Sequence, residues 1–204
     1  EENQFNNPIQ FRSLKASNTG IKFNNSLSYK TSLNIIEYLY YYNGGGVAVG
    51  DINNDGLEDI FFSGNLVSDK LYLNLGDMKF EDISSNAGLI EDNSWSNGVN
   101  FEDINGDGLL DIYVTKVGPI SPSESHNLLY INNGDLTFTE KSSEFGLDFS
   151  GFSTQATFFD YDQDGDLDMY LMNHAIHTVR SYGTSKKRLE SDKLSGDKFY
   201  ENKI

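Results

Sequence analysis

The chain has 204 residues and a formal charge of −16, from 15 Lys and Arg against 31 Asp and Glu. Such acidity argues against a nucleic-acid partner and against attraction to anionic lipid, and the absence of Cys excludes disulfides and thiolate metal sites. No stretch reaches the ~20 apolar residues of a membrane helix, and the length suits one domain or a piece of a larger repeat array.

In chain order, the sequence opens at Glu1 rather than Met, which points to a processed or trimmed start with any targeting segment removed. Residues 1–45 form an N-terminal segment. Within it, Phe11-Arg-Ser-Leu14 through Thr19-Gly20-Ile21 is similar to the last strand of the repeats that follow, so about 8–21 is expected to be a ring-closing strand. Residues 33–42, rich in Tyr and Ile and running into Gly44-Gly45-Gly46, are read as extended.

Three acidic segments then align without gaps: Asp51-Ile-Asn-Asn-Asp-Gly-Leu-Glu-Asp59, Asp103-Ile-Asn-Gly-Asp-Gly-Leu-Leu-Asp111 and Asp160-Tyr-Asp-Gln-Asp-Gly-Asp-Leu-Asp168. Their starts lie 52 and then 57 residues apart. Apolar, β-branched and aromatic runs flank each one, so each reads as the loop of a β-hairpin. A second element recurs as Leu71-Tyr-Leu-Asn74, Leu129-Tyr-Ile-Asn132 and Phe199-Tyr-Glu-Asn202. A third pairs Phe80 through Gly88-Leu89 with Phe138 through Gly146-Leu147. Four short strands per period of this length fit a propeller blade. The expected architecture is an all-β β-propeller of four-stranded blades: blade 1 at 46–89, blade 2 at 97–147, and an incomplete blade 3 at 152–204 with an insertion at 173–196. Three blades fall short of a closed ring, so the chain is expected to be the N-terminal part of a larger one.

The chemistry of the loops points to calcium, about three ions. Calcium takes six to eight oxygens, and short side chains at loop positions 1, 3 and 5 can converge on it. The candidate ligands are Asp51, Asn53, Asp55, Asp59 and the Leu57 carbonyl; Asp103, Asn105, Asp107, Asp111 and the Leu109 carbonyl; and Asp160, Asp162, Asp164, Asp168 and the Asp166 carbonyl. Gly56, Gly108 and Gly165 permit the sharp turn at position 6. An EF-hand is excluded because its position-12 Glu is replaced by Phe62, Val114 and Leu171. Magnesium suits such a flexible cage less well, and zinc prefers N and S ligands. The third loop carries most carboxylates and is expected to bind tightest.

These loops and flanks resemble the FG-GAP/VCBS repeats of integrin-α-type β-propellers. The stretch from Tyr41-Tyr-Asn-Gly-Gly-Gly to Asp51, with Asp168-Met-Tyr-Leu-Met-Asn-His174, is similar to a narrower group of bacterial surface proteins in which an ASPIC/UnbV-type domain follows the propeller. The Phe-Gly and Gly-Ala-Pro elements of the repeat are poorly kept, with Ala48-Val-Gly50, Asn100-Phe-Glu102 and Thr157-Phe-Phe159 in their place. The resemblance implies calcium in the acidic loops and export to the outer-membrane surface as a lipoprotein, or secretion. It also implies protein or glycan partners in a surface assembly.

Other features carry less. His174 and His177 have a metal-pair spacing without a third ligand, and residues 173–196 are a candidate partner-contact loop. The aromatic run 38–42 and Trp95 suit core packing better than sugar stacking. Lys186-Lys187-Arg188 reads as a solvated cluster. No nucleophile elbow or Walker loop is present, so the reading is a non-enzymatic binding or scaffold module. The alternatives are a glycan-active enzyme with paired carboxylates (Glu37, Glu102 and Glu140 being the candidates) and a purely structural subunit.

Overall fold

The computed structural model describes residues 11–27, 33–118, 125–174, 193–194 and 196–203. Among the described residues are eleven short strands and one helical turn. The strands are β1 (Val47–Gly50), β2 (Asp59–Phe62), β3 (Lys70–Asn74), β4 (Phe80–Asp82), β5 (Ser96–Glu102), β6 (Asp111–Lys116), β7 (Leu128–Asn132), β8 (Phe138–Glu140), β9 (Ser153–Phe159), β10 (Asp168–Asn173) and β11 (Lys198–Tyr200). The helical turn α1 is Ala16–Thr19. All pairings between these strands are antiparallel and sequential: β1-β2-β3-β4, β5-β6-β7-β8, and the three-stranded β9-β10-β11. The fold is all-β, built of the four-stranded meanders that make propeller blades.

Burial explains why the sheets stack. Ala48, Phe61 and Leu71 of the first sheet share one core with Val99, Ile112, Val114 and Tyr130 of the second. Tyr113, Leu129 and Ile131 of the second share another with Ala156, Met169 and Leu171 of the third. The central strands β6 and β7 are buried along their whole length because both faces are covered. One charged group crosses between sheets: Lys116, 1% exposed, lies 3.2 Å from the Asp92 carboxylate, which precedes β5, and 4.0 Å from Asp69, which precedes β3. Burial raises the Asp69 carboxyl, with the Lys116 charge opposing it. Burial would also raise Asp92, but Lys116 and Ser94 outweigh it and hold that carboxyl below its usual range.

A repeated joint fixes how neighbours meet. Gly88, in the left-handed region, faces the Phe138 carbonyl of the next sheet, and the Ile90 N–H donates to the Tyr130 hydroxyl at 3.1 Å. The N-terminal segment repeats this arrangement one unit earlier. Gly20, also left-handed, lies so close to the Phe80 carbonyl that a Cβ would clash, and the Lys22 N–H donates to the Tyr72 hydroxyl at 3.1 Å. Phe11, the counterpart of Phe80 and Phe138, is fully exposed, whereas those two are 8% and 5% exposed.

One expectation is corrected. Residues 33–42 are not extended but form consecutive turns, with Tyr38 N–H bonded to the Asn34 carbonyl and Asn43 N–H to that of Tyr40. The cause is local: the Asn34 side chain accepts the Ile36 N–H at 2.9 Å, an Asx turn that outcompetes strand formation. Turning the chain lets Tyr38 and Tyr41 pack on Trp95, so these three rings are core, while Tyr40 and Tyr42 are exposed.

Candidate metal centres in the hairpin loops

Each acidic segment is the turn of a hairpin between the first two strands of its sheet, as the apolar runs on either side predict. Position 1 organises the turn. Asp51 accepts the N–H groups of Asp55 and Gly56 at 3.0 and 2.7 Å, Asp103 those of Asp107 and Gly108 at 3.0 and 2.9 Å, and Asp160 those of Asp164 and Gly165 at 3.2 Å each. Position 5 then accepts the position-7 N–H at 2.8, 2.9 and 3.2 Å in the three loops. Gly56, Gly108 and Gly165 have φ of 86°, 86° and 99°, which a side chain would strain. Position 4 is left-handed too, in Asn54, Gly106 and Gln163.

Position 9 has a role that spacing alone does not reveal. Asp59, Asp111 and Asp168 open the second strands and are almost fully buried. One oxygen of each accepts the position-2 N–H, from Ile52, Ile104 and Tyr161 at 3.0, 3.1 and 3.1 Å. The other accepts the N–H of Asn74, Asn132 and Asn202 at 2.7, 2.9 and 2.9 Å. Each carboxylate therefore pins its loop to the end of the third strand. The recurrence of those asparagines was the available signal. The Asn132 amide also donates 2.8 Å to the Ile52 carbonyl, tying the second sheet to the first loop.

Burial and neighbouring charge act on several of these carboxyls. Burial, then the nearby charges of Asp107 and Asp103, push the Asp111 carboxyl up to about 6 against two backbone donors. Asp59 is raised for the same reasons. Desolvation and the Asp164 charge raise Asp162 and Asp166.

The predicted ligands are not arranged alike. In the third loop, oxygens of Asp160, Asp162 and Asp168 all lie within 4.8 Å of one another. Asp166 Oδ1, in the same loop, is buried with no hydrogen-bond partner; sequence reasoning used only the Asp166 carbonyl. Asp164 is turned toward the Asp166 N–H. In the first two loops the position-3 amides bridge instead: Asn53 Nδ2 donates to Asp55 at 2.9 Å and Asn105 Nδ2 to Asp107 at 3.0 Å. The amide oxygens accept the Asp55 and Asp107 N–H groups, and Leu57 and Leu109 follow the left-handed glycines at the loop exits. His174 is remote from all three loops, at the far end of β10, and His177 and residues 186–188 lie outside the described residues.

A family model for FG-GAP-like repeats matches residues 51–114 and 119–171. The chain belongs to the FG-GAP-like repeat family. The first match of this FG-GAP-like protein begins at Asp51 and ends inside β6, and the second ends inside β10, so both close just beyond an acidic loop. The chain is also 34% identical over 140 residues to cartilage acidic protein 1 of Xenopus tropicalis, covering 66% of this chain and 20% of the relative. It thus spans about a fifth of the length of the curated relative it matches.

Proposed function

We propose that this FG-GAP-like chain is a calcium-stabilised binding or scaffold module of an extracellular assembly, with one ion in each acidic loop. The third loop carries the argument. Three carboxylate oxygens within 4.8 Å form an all-oxygen donor set that fits a hard divalent cation, and the buried, unpartnered Asp166 Oδ1 of the same loop supports it. Asp160, Asp162, Asp164 and Asp168, with Asp166 through carbonyl or carboxylate, would hold the ion there. Asp51, Asn53, Asp55, Asp59 and Leu57 would do so in the first loop, and Asp103, Asn105, Asp107, Asp111 and Leu109 in the second. Oxygens already accepting one N–H keep a second lone pair for the metal. When bound, calcium supplies the positive charge that offsets this carboxylate crowding, coupling metal binding to folding.

On this reading residues 46–89, 97–147 and 152–204 are successive blades, and 11–22 stand where the last segment of a preceding blade would stand. The repeated Gly and Tyr joint supports that placement. The module acts by binding rather than turnover, and the curated relative is named for cartilage, with which a surface or secreted location accords. Among the described residues no helix is long and apolar enough to cross a membrane.

Calorimetric calcium titration of Asp55→Ala, Asp107→Ala and Asp164→Ala tests the assignment. One site should disappear in each variant, with the tightest lost in Asp164→Ala. Three unchanged titrations, or equal losses of affinity, would defeat the assignment or its ranking respectively.

A further inference from the structure

At the ends of β1, β5 and β9 opposite the acidic loops lies a cleft of about 300 Å³. That is the low end of the range of small-ligand sites. Each sheet reaches it through an irregular stretch. The first contributes the glycine run 44–46, where a Cβ on Gly45 would strike the Ser63 carbonyl. The second contributes a bulge at Asn97 and Gly98, where three steps along β5 oppose two along β6. The third contributes a bulge at Thr154, left unpaired between Ser153 and Gln155. Bulges of this kind re-aim side chains beside functional sites.

The side chains so gathered are uncharged. No carboxylate, Lys or Arg is among the described lining residues, which include Tyr38, Tyr40, Asn43, Gln155 and His174. His174 is held by rings on three sides, with centroids 4.5 Å from Tyr40, 5.2 Å from Phe152 and 5.6 Å from Tyr38. Both of its ring nitrogens are buried and neither has a hydrogen-bond partner. Burial lowers its pKa to about 4, so near pH 7 the imidazole is neutral, with one donor and one acceptor to offer. Asn97 is already engaged, by the Trp95 indole and the Ser153 carbonyl, and serves to hold the floor.

We infer that this cleft binds a neutral sugar ring, a hexopyranose unit of a glycan. A pyranose offers a C–H face to the exposed Tyr40 ring and hydroxyls that both donate and accept, which His174 and Gln155 require. An anionic ligand meets a chain of charge −16, and no Lys or Arg is among the described lining residues of the cleft. A quaternary ammonium would suit the rings but leave the imidazole and amide unpaired. The inference deepens the binding-module reading but does not require the calcium assignment, because the cleft and the loops sit at opposite strand ends.

The test is ligand-observed NMR with the methyl glycosides of glucose, galactose and mannose and their neutral oligosaccharides, with galacturonate and choline as controls. Titrations follow the His174 imidazole resonances, assigned by their loss in His174→Gln. At least one neutral sugar should show saturation transfer and shift those resonances. Affinity should fall at least tenfold in Tyr40→Ala and Gln155→Ala, with unchanged melting and unchanged calcium titration. Tighter oligosaccharide than monosaccharide binding identifies a glycan chain, and equal affinity identifies a free sugar; both support the sugar site. Silence across the neutral panel, preference for choline or galacturonate, or binding that survives both substitutions overturns it. Loss of calcium sites with sugar binding intact would instead overturn the metal assignment alone.

Discussion

The first two acidic loops and the third share one backbone yet solve the problem of crowded carboxylates differently. In the first two, the Asn53 and Asn105 amides each donate to the neighbouring position-5 carboxylate, so the loop is cross-linked by its own hydrogen bonds. In the third, Asp162 has no proton to give when ionised and its oxygen crowds those of Asp160 and Asp168. Its position-1 bonds are also longer, 3.2 Å each. The residue at position 3 therefore separates two loops cross-linked by an amide from one in which carboxylate oxygens converge, the arrangement on which the calcium proposal rests.

The largest expected effect is removal of the metal. Each site held at a hundredfold excess of calcium over its Kd contributes about 2.7 kcal/mol. A domain of this size shifts by about 2–4 °C per kcal/mol, so losing three sites, about 8 kcal/mol together, should lower Tm by roughly 15–30 °C. Hydrogen exchange in chelator should speed up at residues 160–168 before 51–59 and 103–111; uniform acceleration would erase the distinction. Next comes Asp111→Ala, which orphans the Ile104 and Asn132 N–H groups and should cost about 3 kcal/mol in urea unfolding even with chelator present. Asp162→Ala under the same conditions should be neutral or stabilising. If both variants destabilise equally, the third loop does not depend on a cation for its shape.

Much of this was readable beforehand because the governing rules are local. Apolar, β-branched and aromatic runs on either side of the Asp-rich tips placed the three acidic hairpins, and Gly at position 6 announced a sharp turn. What spacing could not show depends on tertiary contact or on local competition. The double pin from Asp59, Asp111 and Asp168 to the third strand is invisible until sheet register is known. Gln163 takes a left-handed φ that its own chemistry does not favour, because the loop over-determines it. Residues 33–42 have strand composition, but Asn34 diverts the backbone into turns.

Smaller effects come from exchanging the position-3 residues. Asn53→Asp and Asn105→Asp should tighten calcium about tenfold, equivalent to ~1.4 kcal/mol, and weaken the metal-free protein; Asp162→Asn should do the reverse, read by calorimetry and melting in chelator. Smallest of all, Gln163→Gly should stabilise the metal-free chain by about 0.5 kcal/mol, and Gly106→Gln should cost about 1 kcal/mol, since only glycine enters the left-handed region freely. Equal Tm values for these variants and the parent would mean that position 4 stores no strain.

The tyrosine hydroxyl that meets a backbone N–H two residues after a left-handed glycine has a bearing on how such chains grow. The first unit carries both halves of that joint, the Tyr72 socket on its third strand and the Gly88–Ile90 plug at its exit, so a duplicate of it mates with its parent without altering a residue. Lengthening the array by tandem copying is then the path of least molecular innovation, leaving acidic tips and distal surfaces free to diverge copy by copy.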